Sequence, residues 1–268
     1  CPGCSRRWKR PRRCGSTPLF FWVPVFEFVR GRFPPLFIHL PWVVTGTTRM
    51  SAFDLHTHSH HSKDGLMRPR DIPRWARRRG LSGIALTDHG TPSLTRPIIS
   101  DDIYIINGCE FMTTDFGELI GLFVSDPIRR SSFEETAEAI HEQSGITVLP
   151  HPRDPMRKHT AMRRSLPDAL IRRHIDLIEG INSRCILPVF NSWAQNLARR
   201  LEKPMTAGSD SHSFLELGHA KTWLADISSA DCIFDRLRRG ETIISGPSSL
   251  FLWQLPTMAW QRARKLCL

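Results

Sequence analysis

Histidine and carboxylate residues recur in short clusters along this chain of 268 residues. Imidazole and carboxylate groups are the ligands that borderline divalent cations such as zinc, manganese or iron accept. His56 and His58 are two residues apart, so both imidazoles would leave the same face of a strand. Asp210 and His212 repeat this spacing near the other end of the chain. The clusters predict a site for more than one metal ion, built from Asp54, His56, His58, Asp64, Asp88, His89, Glu110, His151, Asp210 and His212.

Strand-like and helical patterns alternate from Met50 onward, as they do in parallel α/β folds. Apolar runs predict strands over 52–56, 83–87, 103–106, 119–124, 146–149, 177–180, 205–208, 222–225 and 242–244. Amphipathic patterns predict helices over 69–79, 133–143, 189–200 and 232–239. Ser131-Ser132, with Glu134 or Glu135 downstream, is a capping signal for the second helix. Nearly every candidate ligand lies at the carboxyl end of a predicted strand, which is where barrel enzymes place their active sites.

The positive charge of the chain is concentrated at its amino terminus. The formal net charge is +11, but residues 1–49 hold nine basic residues against one acidic residue, which leaves +3 for the remainder. A mildly basic folded part is not typical of a sequence-specific nucleic-acid binder. The seven cysteines show no framework spacing, which favours a reducing compartment. We therefore expect a cytoplasmic protein.

Residues 1–49 form a basic and apolar extension for which we expect weak order. Its apolar stretches, 19–26 and 36–44, are shorter than the ~20 uninterrupted apolar residues that a membrane-spanning helix needs, so we expect no membrane anchor. Cys1, Cys4 and Cys14 offer three of the four ligands of a structural zinc site. Met50 directly precedes the first predicted strand, so 1–49 could be an upstream reading-frame extension outside the native protein. We expect a catalytic domain over 50–250 and a packed tail over 251–268.

Five fragments carry most of the candidate ligands, and they follow one another along the chain. They are Asp54-Leu55-His56-Thr57-His58, Leu86-Thr87-Asp88-His89, Gly108-Cys109-Glu110, Leu149-Pro150-His151-Pro152-Arg153 and Ala207-Gly208-Ser209-Asp210-Ser211-His212. Together they resemble the PHP domain, named for polymerases and histidinol phosphatases, over roughly residues 50–250. The resemblance implies an α/β fold, a distorted TIM-like (β/α)7 barrel. It also implies two or three divalent ions (Mn, Zn or Fe) as cofactors for phosphoester hydrolysis.

The resemblance further implies a role for each ligand. It assigns His56, His58, Glu110 and Asp210 to a first ion, Glu110 and His151 to a second, and Asp64, His89 and His212 to a third. Many family members add a histidine to the second ion from the strand that corresponds to 177–182, where Asn182 or Glu179 could substitute. Asp54 and Asp88 could orient a neighbouring ligand imidazole or serve as turn carboxylates. The expected catalytic residues are His56, His58, Glu110, His151, Asp210 and His212.

Basic residues that follow the fourth fragment are candidates for binding substrate. Arg153 comes directly after His151-Pro152, and Arg157 with Lys158 lies a few residues further on. Guanidinium groups form planar, bidentate hydrogen bonds with phosphate. We therefore expect Arg153 and Arg157 to bind the phosphate of the substrate, while an exposed, solvated loop is the alternative for Arg157.

The ligands and arginines together predict a metal-dependent phosphoesterase. Its substrate would be a nucleotide, a short oligonucleotide or a small phosphorylated metabolite, hydrolysed by a metal-activated water. Histidinol phosphatase is a substrate variant, and a non-hydrolytic metal-binding accessory module is the alternative from another class. An amidohydrolase also begins with His-x-His, but Thr87-Asp88-His89 and Asp210-Ser211-His212 argue against it. The oligomeric state stays open.

Overall fold

The computed structural model describes residues 48–247 together with residues 255, 257 and 259. The chain divides into two units between Arg49 and Met50, and nearly all of the described residues belong to the second. The expectations for the amino-terminal extension fall almost wholly outside the described residues, as do most of those for the tail. The division into 1–49, 50–250 and 251–268 therefore stays a prediction.

The described part of the chain contains one sheet of ten strands. In chain order they are β1 (Met50–Thr57), β2 (Gly83–Leu86), β3 (Ile98–Ser100), β4 (Ile103–Met112), β5 (Glu118–Leu122), β6 (Ile146–Leu149), β7 (Leu177–Asn182), β8 (Met205–Gly208), β9 (Lys221–Ala225) and β10 (Ile243–Ser245). Their order in the sheet is β10-β9-β1-β2-β4-β5-β6-β7-β8, and β3 pairs with β4. Beyond the end of β8, the Asp210 amide donates to the His56 carbonyl (2.7 Å) and the His58 amide donates to the Ser211 carbonyl (2.8 Å). These bonds nearly close the sheet into a barrel.

The seven strands β1, β2, β4, β5, β6, β7 and β8 follow one another around this barrel. The predicted TIM-like α/β barrel is thereby confirmed, and its distortion has a clear source. Pairs β1–β2, β2–β4, β6–β7 and β7–β8 are parallel, whereas β5 is antiparallel to both neighbours. A short turn over 113–117 joins β4 to β5, so no crossover helix lies between them.

Five α-helices occur within residues 48–247: α1 (Ile72–Arg78), α2 (Phe133–Glu142), α3 (Asp168–His174), α4 (Pro188–Arg200) and α5 (Ala230–Arg238). The predicted cap of α2 is confirmed as a capping box, in which Ser132 and Glu135 bond each other's backbone amides. The sequence reading missed α3, because a helix of seven residues is too short to show a clear amphipathic pattern. It also missed β3, a three-residue edge strand. Among the described residues, no helix has both the length and the apolar character needed to cross a membrane.

Apolar side chains hold the helices against the outside of the barrel. Phe133 and Ile140 of α2 and Leu197 of α4 belong to one buried cluster with Leu119 of β5 and Ile178 of β7. Burying each such side chain stabilises the fold by about 1.5–3 kcal/mol. A second cluster joins residues of β1, β2, β4, β5 and β6. This packing fixes the strands, and with them the side chains at the carboxyl ends of the parallel strands.

Candidate metal centre

The candidate ligands come from strands β1, β2, β4, β6 and β8 or from the residues that follow them. Glu110 lies inside β4, which continues to Met112 rather than ending near the predicted residue 106. Six of the eight candidate ligands are buried: His56, His58, Glu110, His151, Asp210 and His212. Asp64 and His89 are more open, with 36% and 39% of the side chain exposed. The structure therefore gathers all eight around one centre that opens to solvent on the side of Asp64 and His89.

The first group of donors surrounds the two imidazoles of the His-x-His motif. The Nε2 atoms of His56 and His58 lie 3.0 Å apart. Glu110 Oε2 is 3.6 Å from His56 Nε2 and 3.4 Å from His58 Nε2. Asp210 Oδ1 is 3.7 Å and 3.4 Å from the same two atoms. Two imidazole nitrogens and two carboxylate oxygens thus face one point, which is a donor set that fits a divalent cation.

The second group contains a carboxylate that the sequence reading missed. His151 Nε2 lies 3.2 Å from Glu110 Oε1 and 3.7 Å from Glu118 Oε2. Glu118 pairs with Met112 across the β4–β5 hairpin, so it shares a sheet face with Glu110. Burial, with the nearby negative charge of Glu110, raises the pKa of Glu118 to about 7. Glu110, Glu118 and His151 together could hold a cation.

The third group lies at the open side of the centre. Asp64 Oδ1 is 3.7 Å from His89 Nε2, and Asp64 Oδ2 is 3.3 Å from His212 Nε2. The His58 ring lies 4.4 Å from both the His89 and the His212 ring. Burial lowers the pKa of His58 to about 3, with help from His212, so that its imidazole is neutral and able to bind a metal. His58, His89 and His212 could hold a cation together.

Glu179 and Asn182 of β7 contact the candidate ligands. Glu179 Oε1 lies 3.0 Å from His56 Nδ1, and its Oε2 accepts a hydrogen bond from the His151 amide at 2.7 Å. The Asn182 side-chain amide donates to Glu179 Oε2 (3.0 Å) and to Asp210 Oδ2 (3.3 Å). Both side chains thus orient other ligands. It is Glu118, rather than either of them, that the structure brings to the second group.

The carboxylate of Asp54 is hydrogen-bonded to the loop after β8 rather than to an imidazole ring. Its carboxylate accepts hydrogen bonds from the Ser209 amide (2.8 Å), the Ser209 hydroxyl (2.5 Å) and the Gly218 amide (2.8 Å). Its contact with His56 is to the backbone amide. Of the two alternatives for Asp54, these contacts favour the turn carboxylate, because the closer donors occupy its oxygens.

Asp88 is likewise a turn carboxylate. It accepts hydrogen bonds from the Ser59 amide and hydroxyl (both 2.7 Å), the Ser62 hydroxyl (2.8 Å) and the Ser93 hydroxyl (2.6 Å). The Ser62 hydroxyl lies 3.3 Å from His58 Nδ1. The Ser62 hydroxyl thus lies between Asp88 and the imidazole of His58, and the contacts of Asp88 favour the turn-carboxylate alternative.

The backbone at the centre is unusually constrained. His151 and Asp210 have φ angles of 28° and 54°, in the left-handed region that side chains other than glycine rarely adopt. A Cβ atom on Gly208 would lie 2.3 Å from His56 Cβ and 2.9 Å from Glu179 Oε1. Glycine is therefore required where β8 approaches β1. Such local strain is typical of functional sites.

Two arginines lie beside the carboxylate of Asp210. Arg157 Nη1 is 2.6 Å from Asp210 Oδ2, and its Nε is 3.2 Å from Asp154 Oδ2. Arg184 Nη1 is 2.6 Å from His212 Nδ1 and 4.0 Å from Asp210 Oδ1. The sequence reading missed Arg184, because the strand before it offered no recognised motif. Burial opposes the charge of Arg157, but Asp210 outweighs it and raises the pKa of this guanidinium.

Arg153 has a different environment from that of Arg157. Its side chain lines a cavity together with residues of α4, including Trp193 and Arg200. Its charge also helps to lower the pKa of Asp168, after the larger effect of Arg200. The role of Arg153 in binding the reacting phosphate stays a prediction.

An α/β barrel with a buried imidazole–carboxylate centre and adjacent guanidinium groups belongs to the class of barrel proteins whose site could hold metal ions. Within that class, the model of the PHP domain matches residues 54–177, and the model of the PHP-associated region matches residues 188–242. The chain belongs to the PHP family, as the five fragments predicted. Its solved structural neighbours include a two-domain protein described as containing a PHP-like metal-dependent phosphoesterase and a protein described as a metal-dependent phosphoesterase.

The chain is similar to two uncharacterized proteins of Methanocaldococcus jannaschii. It is 33% identical to MJ1587 over 158 residues, which cover 53% of this chain and 88% of that protein. It is 30% identical to MJ0417 over 169 residues, covering 62% of this chain and 68% of that protein. These relatives carry no stated activity, so they establish kinship without naming a reaction.

Solved structures share the fold at low sequence identity. A two-domain protein of Bacteroides vulgatus with a PHP-like region is 21% identical, with a TM-score of 0.57 over 74% of this chain and 65% of that one. The lesion-specific endonuclease Q of Pyrococcus furiosus is 19% identical, with a TM-score of 0.57 over 73% of this chain and 58% of that one. The chain thus spans about two thirds or less of these two proteins, and the likeness shows the fold.

Proposed function

We propose that this protein is a metal-dependent phosphoesterase. The observation that carries the proposal is the carboxylate of Asp210, which faces metal-type donors through Oδ1 and the Arg157 guanidinium through Oδ2. Asp210 thus contacts both the groups that could bind a cation and a guanidinium that could bind an anion. A phosphate ester is the kind of substrate that needs both.

The donor groups fit the divalent ions that PHP phosphoesterases use. Their imidazole and carboxylate atoms converge within a few ångströms. Although the Asp64 side chain is partly exposed, its Oδ1 atom is shielded from solvent and accepts no hydrogen bond from the described residues. We propose that His56, His58, Glu110 and Asp210 hold one ion, Glu110, His151 and Glu118 a second, and Asp64, His89 and His212 a third. Bound ions would supply charge that stabilises phosphate oxygens and would activate a water molecule.

The remaining residues of the centre bind and orient. Arg157 and Arg184 present guanidinium donors next to the proposed ions, where they can bind non-bridging phosphate oxygens. Glu179 and Ser62 hold the Nδ1 side of His56 and of His58, which leaves each Nε2 directed into the centre. The chain thereby fixes a preorganised set of charges around the position of the reacting phosphate.

The proposed substrates are a nucleotide, a short oligonucleotide or a small phosphorylated metabolite, histidinol phosphate among them. The fold is shared with endonuclease Q, solved with a 27-mer duplex substrate that carries an abasic lesion. That likeness supports trying nucleic acids first. The metals that we propose are manganese, zinc or iron, and a cytoplasmic location remains our expectation from the cysteine pattern.

The test is hydrolysis by the full chain of p-nitrophenyl phosphate, histidinol phosphate, nucleoside mono- and bisphosphates and short RNA. Each substrate is assayed with added manganese, with added zinc and with chelator. Metal-dependent turnover is the expected result, and the substrate that is hydrolysed best identifies the substrate class. Bound metal, shown by elemental analysis, without turnover of any substrate would overturn the proposal in favour of an accessory metal-binding module.

A further inference from the structure

The loop after β8 contains a capping motif, Ser213-Phe214-Leu215-Glu216, directly behind the candidate ligand His212. Glu216 Oε2 accepts hydrogen bonds from the Ser213 amide (2.8 Å) and the Ser213 hydroxyl (3.1 Å). The same oxygen accepts a hydrogen bond from the His212 amide (2.8 Å). A glutamate that bonds the backbone amide three residues earlier is one half of a capping box. Glu216 therefore holds the turn that carries His212.

The capping box of α2 shows what such a motif requires by itself. Ser132 and Glu135 have the same spacing, and Glu135 Oε2 accepts hydrogen bonds from the Ser132 amide (3.0 Å) and hydroxyl (2.9 Å). Glu135 is exposed, whereas Glu216 is only 2% exposed. Burying a carboxylate is costly unless opposite charge and hydrogen bonds compensate it. The burial of Glu216 thus indicates a role that capping alone does not require.

The second carboxylate oxygen of Glu216 faces the guanidinium of Arg184. Glu216 Oε1 is shielded from solvent, accepts no hydrogen bond from the described residues and lies 3.8 Å from Arg184 Nε. The Nη1 atom of Arg184 lies 2.6 Å from His212 Nδ1 and 4.0 Å from Asp210 Oδ1. Opposite charges attract each other more strongly where solvent does not screen them. Glu216 thus holds the Nε side of Arg184 while the Nη1 side is turned toward the metal centre.

Arg157 has the same arrangement at the other oxygen of Asp210. Its Nε lies 3.2 Å from Oδ2 of the buried Asp154, and its Nη1 lies 2.6 Å from Asp210 Oδ2. Each of the two guanidiniums therefore has a buried carboxylate at Nε and Asp210 toward Nη1. Since a guanidinium is planar and its donors point in fixed directions, a partner at Nε sets where the Nη donors point.

We propose that Glu216 is a positioning residue for anion binding. Its Oε1 holds Arg184 in the direction in which the guanidinium meets a phosphate, while its Oε2 holds the turn of His212. The proposal rests on the proposed function, which assigns Arg184 to the non-bridging phosphate oxygens. An arginine that is already ordered loses less conformational freedom when it binds an anion.

The test measures binding of inorganic phosphate to the full chain with added manganese, by isothermal titration calorimetry. Glu216→Gln keeps an oxygen for the turn but places an amide N–H group beside Arg184 Nε. We expect phosphate affinity to fall about 10-fold, within the range that loss of a supporting group causes at metal sites. Loss of a negative charge would by itself strengthen anion binding, so weaker binding is the signature of lost positioning.

Glu135→Gln is the matched control, because it makes the same change in an exposed capping box. It should leave phosphate affinity at the wild-type value. Phosphate binding by Glu216→Gln that equals or exceeds that of wild type would overturn the proposal, as would the absence of phosphate binding by wild type.

A double-mutant cycle tests whether Glu216 acts through Arg184. In the Arg184→Gln background, Glu216→Gln should cause no further loss of phosphate affinity, because residues that act through one contact are not additive. Equal losses in the presence and in the absence of Arg184 would overturn this path.

Metal content separates the two oxygens of Glu216. Glu216→Ala leaves the buried amides of His212 and Ser213 without their acceptor, so we expect fewer ions per chain by elemental analysis after dialysis. Glu216→Gln should retain the wild-type metal content. Circular dichroism checks that both variants fold, and if the alanine variant does not, the glutamine variant and the cycle still decide the proposal. Full metal content in a folded Glu216→Ala would overturn the role of Oε2.

Hydrolysis separates this proposal from the proposed function. With manganese, Glu216→Gln should raise the KM for p-nitrophenyl phosphate more than it lowers kcat. Turnover of that ester together with phosphate binding that is independent of Glu216 would overturn the positioning role alone. Phosphate binding that depends on Glu216 and Arg184, without turnover of any ester, would overturn the phosphoesterase and support the positioning role.

Discussion

Two regions of the molecule hold histidine and glutamate side chains close enough to bind a cation. They differ in burial and in the contacts that hold these side chains in place. In the outer group, Glu134 and Glu138 of α2 meet His174 of α3. His174 Nε2 lies 3.1 Å from Glu134 Oε1, and Arg173 Nη1 lies 3.6 Å from the same oxygen. Glu134 is 43% exposed, and its charge is already paired. Arg173 and exposure to solvent thus compensate the charge of Glu134 without an ion.

The candidate metal centre differs from the outer group in burial and in the contacts that hold its ligands. Glu110 and Asp210 are both buried, and burying a charge is costly unless opposite charge compensates it. Their imidazole neighbours are in turn held by Glu179 and Ser62. Proximity of ligand-type residues is therefore a weak criterion for a metal site. Burial with a fixed supporting shell is the stronger one.

The largest difference between the two regions should appear in catalysis. We expect Asp210→Asn to lower kcat for the best phosphate ester by about three orders of magnitude or more, roughly 4 kcal/mol of transition-state stabilisation. The amide removes the charge that faces both the proposed ion and Arg157. Glu134→Gln, in the outer group, should leave kcat unchanged. Circular dichroism checks that each variant folds, and full activity in Asp210→Asn would contradict the assigned role.

A substitution at Gly208 should damage the centre through its geometry. The added Cβ of Gly208→Ala would lie 2.3 Å from His56 Cβ, so β1 and β8 must separate. We expect loss of bound metal and a lower free energy of unfolding. Gly80→Ala is the control, since Gly80 has φ of 67° and nothing within 4 Å of the added atom. It should lose about 1 kcal/mol through backbone strain and retain its metal; equal metal content in both variants would argue against the geometric requirement.

Glu118 is a candidate ligand of the centre that the structure revealed and the sequence did not. Glu118→Gln should weaken binding of one ion by at least the roughly 10- to 100-fold that loss of a supporting group causes at metal sites. Elemental analysis after dialysis should find fewer ions per chain than in wild type. Glu142→Gln, at an exposed carboxylate of α2, is the control. Unchanged metal content in Glu118→Gln would restrict the second ion to Glu110 and His151.

Arg184 tests whether anion binding belongs to the centre. Arg184→Gln removes charge-assisted hydrogen bonds of about 1.5–3 kcal/mol each, so kcat/KM should fall by about 10- to 150-fold. Metal content should stay at the wild-type level, because no guanidinium is a ligand. Loss of metal together with activity would instead make Arg184 a structural partner of His212.

The smallest effect is expected at a carboxylate–imidazole pair outside the centre. Burial opposes ionisation of Asp176, but hydrogen bonds from His141 and the Thr147 amide and the charge of Arg238 outweigh it and lower its pKa. A lowered pKa contributes stability above the unfolded carboxylate value of about 3.9, and this is lost as pH falls through the folded value. Asp176→Asn should therefore cost about 1 kcal/mol at pH 7 and less at pH 3, with metal content unchanged. Urea unfolding at both pH values measures it; a cost that grows on acidification would contradict the sign.

Local sequence motifs were enough to predict most ligands of the candidate metal centre. The ligand that the sequence reading missed is brought there by pairing between strands. His56 and His58 were predictable because alternation along one strand places both on one face. Glu118 was not, since its proximity to Glu110 depends on the antiparallel hairpin in an otherwise parallel pattern. Arg153 illustrates the other limit. Arg153 and Arg157 both follow His151 closely, yet Arg157 lies at Asp210 whereas Arg153 lines a cavity with residues of α4, and spacing in the sequence could not distinguish the two.

The most direct test of the central claim is anomalous X-ray diffraction from crystals of the full chain grown with manganese, recorded at the manganese edge. We expect peaks among His56, His58, Glu110 and Asp210 and beside His151, with none at Glu134, Glu138 and His174. Peaks at the outer group with none at the buried centre would contradict the assignment of the metal site.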